Sequence, residues 1–170
     1  MTTILTEIAT ILHDDFKCER ICFEEKEAGM KIDVDCDGCQ CLVYKYDKKL
    51  DKQYKGGLFP FFAKNEGVCK VSDYIVFAER DGLLYCLIIE LKRGFTHTFP
   101  QLLAAKEFVK YIIATLNRVK KTSYTPAIRL ISIHGINIRK KKTQVSGIKY
   151  DKLSHCEVKS NRFVMKMYLV

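Results

Sequence analysis

The chain has 170 residues, 48% of them hydrophobic and 29% charged, with a formal net charge of +9 at pH 7. That length suits one domain with a real core, and the composition excludes long disorder. No stretch approaches the roughly 20 apolar residues that cross a bilayer. The opening MTTILTEIATILHDDF has early acids and no basic leader, so the chain reads as cytoplasmic, with no signal peptide and no membrane partner.

Ile4, Leu5, Ile8, Ile11 and Leu12 recur at helical spacing, with Thr2 or Thr3 as cap. Residues 17–37 are mixed and acidic, with turn signals at Ala28-Gly29 and Asp37-Gly38. CQCLVYKYD (39–47) alternates and predicts a strand. Residues 47–67, polar and then aromatic around Gly56-Gly57 and Pro60, read as a long loop. VCKVSDYIVFAER (68–80) predicts a strand, Asp81-Gly82 a tight hairpin turn, and LLYCLIIELK (83–92) the return strand. The return strand is apolar on both faces, which puts it at the centre of a sheet covered on both sides.

Pro100 opens a helix over 101–119 with Leu102, Ala105, Val109, Ile112 and Ile113 inward. AIRLISIHG (127–135) predicts a second buried strand, RKKKTQVSG (139–147) a basic loop and NRFVMKMYLV (161–170) a closing strand. The order α-β-β-β-α-β plus a last strand predicts an α/β fold of the α+β kind, a central mixed sheet flanked by helices.

Eight cysteines stand at 18, 22, 36, 39, 41, 69, 86 and 156. Without an export signal they read as thiols rather than a disulfide framework. The spacing Cys36-x2-Cys39, with Cys41 and with Cys18, Cys22 or His13 as completing ligand, admits a zinc site. The lack of a second CxxC pair favours small buried residues in a strand.

The charge is uneven: residues 118–170 hold 13 Lys and Arg against Asp151 and Glu157, so the basic excess lies in the last third. Such asymmetry suits a polyanionic partner.

The hairpin poses a chemical question. A two-residue turn at Asp81-Gly82 sets Asp73 opposite Glu90, and Glu90 and Lys92 share a face because they are two residues apart. Two opposed carboxylates in a buried sheet repel, and a divalent cation relieves that repulsion. With the Leu91 carbonyl, Asp73 and Glu90 form a hard-oxygen set for Mg²⁺ or Mn²⁺, and Lys92 is placed to hold an attacking water or neutralise charge on a phosphorane.

The arrangement Ser72-Asp73 … Glu90-Leu91-Lys92 in an α-β-β-β-α-β order resembles the PD-(D/E)xK nucleases, the restriction-endonuclease-like superfamily, over roughly residues 1–135. The resemblance implies one nuclease-like domain over 1–170. Its motif Asp and Glu, here Asp73 and Glu90, bind the metal, and its Lys, here Lys92, is catalytic. Gln101 matches the polar residue that many members add from the following helix, and Glu7 the Glu that some add from the first. Ser72 stands where the motif has proline, and Ala105 where RecB-like members have Tyr.

The activity implied is a metal-dependent nuclease, a DNA endonuclease before an RNA one. Arg93, Arg139, Lys140, Lys141 and Lys142 would meet phosphates, and a homodimer would place two sites on two strands. The alternative is a non-catalytic nucleic-acid-binding or assembly module of the same fold.

Overall fold

The computed structural model describes residues 3–26, 29–36, 38–48, 65, 67–68, 70–92, 99–135 and 147–170. Helix α1 (Ile4–Ala9) begins at Thr3, whose hydroxyl accepts the Thr6 N–H at 3.3 Å. Strands β1 (Cys22–Glu25), β2 (Met30–Asp35), β3 (Gln40–Lys45), β4 (Tyr74–Arg80) and β5 (Leu83–Lys92) follow, then helix α2 (Phe99–Lys120) and strands β6 (Ala127–His134), β7 (His155–Lys159) and β8 (Arg162–Val164). The fold is α/β with two mixed sheets. The larger has the order β3-β4-β5-β6-β7 and the smaller β1-β2-β8. Among the described residues no helix is long and apolar enough to cross a membrane.

The hairpin is as the turn dipeptide requires. Asp81 (φ 53°) and Gly82 (φ 74°) both take left-handed backbone, the condition for the two-residue turn whose twist matches paired strands. That turn fixes β4 antiparallel to β5 from Arg80↔Leu83 to Tyr74↔Ile89, the register that leads to Asp73 opposite Glu90. Strand β5 then pairs parallel with β6, with α2 as the crossover between them. Every residue from Leu84 to Leu91 is buried, as expected for the middle strand of a five-stranded sheet with both faces covered.

Alternation along the strands divides the core. Ile75, Phe77, Cys86 and Ile88 face one way, against Leu5 and Ile8 of α1 and Leu102, Val109, Ile113 and Leu116 of α2. Val76, Leu87, Ile89 and Ile131 face the other way, against Phe23, Ile32, Phe163 and Met165. Helices therefore cover one face of the main sheet, and the small sheet covers the other.

That small sheet is the main departure from the sequence reading. The acidic stretch before residue 36 contains β1 and β2, joined by the expected turn at Gly29 (φ 59°). In β2 the residues alternate buried and exposed with Lys31 and Asp33 outward, so its polarity is that of a strand with one wet face. β7 was also unforeseen. The closing strand is confined to Arg162–Val164 and gives way to a 3-10 turn at Met165–Met167. The strand expected over 68–80 begins only at Tyr74. The loop expected over 47–67 lies for the most part outside the described residues.

Phe163, of the small sheet, belongs to the apolar cluster that both sheets share. It is fully buried, stacks on Tyr168 at 3.9 Å between ring centroids and meets Phe23 edge-on at 5.3 Å. Phe163→Ala is expected to lower the unfolding free energy by about 3–5 kcal/mol, the range for a buried Phe, read as a lower urea midpoint by circular dichroism.

Candidate metal centre

Strand β4 starts one step too late to finish its ladder with β5. The last backbone partners are Tyr74 and Ile89, which leaves the Leu91 N–H facing a place where β4 offers no carbonyl. Asp73 sits in the bend before β4, with its own carbonyl accepting from Tyr46 N–H at 2.9 Å. Its side chain supplies the missing acceptor: Leu91 N–H donates to Asp73 Oδ2 at 2.6 Å. A strand residue sends its N–H and C=O to the same edge, so the Leu91 carbonyl also faces the Asp73 side.

Glu90 and Lys92 lie on the helix-facing side of β5, in step with Cys86 and Ile88. Glu90 is 3% exposed. Its Oε1 pairs with Lys92 Nζ at 2.9 Å, while Oε2 has no hydrogen-bond partner among the described residues. The sequence-predicted trio is thus gathered at one end of the hairpin.

Two further carboxylates join it that the sequence reading did not single out. Ligand oxygens of Glu25, Asp47 and Asp73 all lie within 4.8 Å of one another. Asp47 follows β3, which the Tyr46–Asp73 bond carries up to the site. Glu25 ends β1, held there by the Tyr74 hydroxyl, which donates to Glu24 O at 3.0 Å and accepts from Glu24 N at 2.8 Å. Lys45 Nζ donates to Glu24 O at 3.1 Å and lies 3.9 Å from Asp47 Oδ1. No fixed spacing links positions 25, 47 and 73. The available signal was the β3–β4 pairing, which extended past its last residues sets Tyr46 opposite Asp73.

The electrostatics follow from burial among like charges. Burial first, and then the charge of Glu90, push the Asp73 carboxyl up to about 7; the Leu91 N–H opposes this, and Asp47 and Glu25 add to it. Burial also raises Glu90, with Lys92 pulling the other way. Burial pulls Lys92 down, but Glu90, Asp73 and Glu25 outweigh it and hold the ammonium protonated. Among the described residues, buried carboxylates outnumber cations here and one carboxylate oxygen has no partner, an arrangement that fits a hard divalent ion such as Mg²⁺ or Mn²⁺. Asp73, Asp47 and Glu25 form the tightest oxygen set, and Glu90 adjoins it.

The other candidates fall elsewhere. Gln101 is half-buried in the first turn of α2, and its side chain makes no hydrogen bond among the described residues. Glu7 is half-buried, and its Oε2 accepts from the Tyr124 hydroxyl at 2.9 Å. Tyr124 precedes β6, so that contact belongs to the turn end of the sheet, opposite to Glu90. Arg93, Arg139, Lys140, Lys141 and Lys142 lie outside the described residues. Cys36, Cys39 and Cys41 do not bring three sulfurs together at ligand distance.

His155, given no role from sequence, bonds through Nε2 to Ser132 Oγ at 2.9 Å and lies 3.7 Å through Nδ1 from Asp151 Oδ2. Ser132 is wholly buried, so the row fastens β7 to β6 and does not present a nucleophile. A scan against protein-family models and searches of curated proteins and of solved structures match nothing to this chain.

The raised Asp73 carboxyl has a consequence for stability. Its pKa is about 7 in the folded chain against about 3.9 when unfolded. Between those values the folded state holds a proton that the unfolded state has lost, so metal-free stability falls as pH rises from about 4 to about 7. The full difference corresponds to at most about 4 kcal/mol. Asp73→Asn keeps an acceptor for Leu91 and is expected to raise the metal-free melting temperature at pH 8, with little change at pH 4.5. Melting curves across that pH range check it.

Proposed function

We propose that the protein is a Mg²⁺- or Mn²⁺-dependent nuclease of the PD-(D/E)xK kind, and that it cuts DNA internally. The observation that carries this reading is the assembly of Asp73, Glu90 and Lys92 at the open end of one hairpin, with both carboxylates buried and Lys92 on Glu90. The order α1-β3-β4-β5-α2-β6 agrees with it, the β1–β2 hairpin being an insertion between α1 and β3. A further support is positional. The C-terminal ends of the three parallel strands carry Lys92, His134 and Lys159 as register partners, and open α/β sheets bind ligands at such ends.

In this reading Asp73, Asp47 and Glu25 hold the ion, with Glu90 and the Leu91 carbonyl alongside. A divalent ion held there would supply polarisation of the phosphodiester and a lowered pKa for a bound water. The chain's own residues do the rest. Lys92 stays protonated because of its acidic neighbours, and its ammonium is held on Glu90 by a 2.9 Å contact. It can turn from Glu90 to a phosphate oxygen as negative charge builds there. The buried hairpin end keeps the carboxylates fixed, so little reorganisation is needed as the reaction proceeds. The basic last third supplies non-specific attraction for the backbone. A cytoplasmic setting goes with the free thiols of the described cysteines. A homodimer would let two sites act on two strands, by analogy with the superfamily.

Incubation with plasmid, linear duplex, single strands and RNA, with and without Mn²⁺, tests the reading. Metal-dependent nicking of plasmid is expected. Lys92→Ala is expected to lower the cleavage rate by about 10²–10³ while Mn²⁺ affinity by calorimetry is kept; Asp73→Ala is expected to lose both. Duplex binding with no cleavage under any metal would favour the non-catalytic module instead.

Replacing Lys140, Lys141 and Lys142 together with Ala is expected to weaken DNA binding and flatten its salt dependence, since fewer counterions are released. An unchanged slope in a salt titration would exclude that segment from the interface.

A further inference from the structure

The second cluster of reactive groups lies where the chain passes from the small sheet to the large one. β2 ends at Asp35 and β3 begins at Gln40. Between them Cys39 N–H donates to Cys36 O at 2.8 Å, and Gly38 takes a left-handed φ of 74°. This tight turn brings Cys36 Sγ to 3.3 Å from Cys41 Sγ, a hydrogen-bonding contact between thiols and the one such contact among the described residues. Both side chains are half-buried against the core on the small-sheet side. They are therefore fixed by packing and still within reach of a small reagent. Cys86 and Cys156, by contrast, are buried.

We propose that Cys36 and Cys41 are a redox modification site, closing reversibly to a disulfide when a low-molecular-weight disulfide of the glutathione class supplies the oxidising equivalents. The Cys36 thiolate attacks one sulfur of the reagent, forming a mixed disulfide and releasing one thiol. The Cys41 thiolate then attacks the Cys36 sulfur and releases the second thiol. The two protein thiols lose two electrons and two protons, and the reagent disulfide gains both to become two thiols.

The order of attack follows from the contact. The contact with Cys41 favours ionisation of Cys36, whereas Cys41 itself is pushed up to about 12 by burial, by that same contact and by the neighbouring thiols. Burial raises Cys36 too, so the exchange is slow and selective for conditions of sustained oxidation. The product closes a short loop at the joint between the two sheets and restrains the unfolded chain there.

The test is thiol mapping of the full chain after equilibration in mixtures of reduced and oxidised glutathione. Free thiols are alkylated and the peptide 32–45, which holds Cys36, Cys39 and Cys41, is sequenced by fragmentation. The expected result at the oxidised end is loss of two hydrogens from that peptide, with Cys39 alkylated and Cys36 joined to Cys41. Addition of a reducing thiol should restore three alkylated cysteines.

Cys36→Ser should abolish the loss, and the melting temperature of the oxidised parent should exceed that of the reduced parent by a few degrees. Three alkylated cysteines throughout, a glutathione adduct that does not resolve, or a link through Cys39 would overturn the proposal. Because no nucleic acid or metal enters the experiment, its outcome is separate from that of the proposed nuclease activity.

Discussion

The structure turns on one backbone donor. The Leu91 N–H lies buried near the end of the central strand, beyond the last pair of its ladder with β4. An orphaned donor there costs about 1–3 kcal/mol, so something must accept from it. The acceptor is a carboxylate, which makes a short charge-assisted bond and also draws negative charge into a place where charge is costly. A neutral Ser or Asn could have met the same hydrogen-bonding need. The choice of Asp creates the electrostatic problem to which its surroundings respond.

The response comes from three directions. Glu90 and Lys92 stand beside Asp73 on the central strand and bring a net charge of zero between them. Asp47 arrives because β3 extends its pairing to Tyr46, and Glu25 because Tyr74 uses its hydroxyl to anchor β1 at Glu24. Tyr74 is well suited to that role: its ring is buried in the core, stacks at a tilt on Phe23 at 4.9 Å, and leaves the polar end for the neighbouring strand. The result, among the described residues, is a half-buried group in which acids outnumber bases.

Much of this was legible in the chain. Asp81-Gly82 specifies its turn so narrowly that the register of Asp73 against Glu90 followed from two residues, and the unbroken apolar run of β5 gave its central position. The spacing of Leu102, Ala105, Val109, Ile112 and Ile113 gave α2 and its inner face. Short strands with one wet face were harder to read. β1 and β2 carry charged residues at their outward positions, and four to six residues give too few alternations to stand out from a polar loop. Glu25 and Asp47 were invisible for a related reason. Glu25 reaches Asp73 through the docking of one sheet on the other, and Asp47 through strand pairing beyond the last residues of β3; no local pattern encodes either. The basic segment around Lys140 was conspicuous in composition, but composition carries no position.

The small sheet has a consequence for how the molecule matures. β2 is flanked by β1, close to it in sequence, and by β8, which arrives from the far end of the chain with Arg162 beside Asp33 and its guanidinium 2.6 Å from Asp35. Glu25 takes its place only when β1 is held on this sheet and the sheet is docked through Phe163. During synthesis the hairpin of β4 and β5, with its turn of two residues, can close early because its contacts are local, whereas the pairing of β2 with β8 spans well over a hundred residues and must wait. A chain without β8 has Asp73, Glu90 and Lys92 in sequence but lacks the strand that pairs with β2, and with it the support on which Glu25 stands.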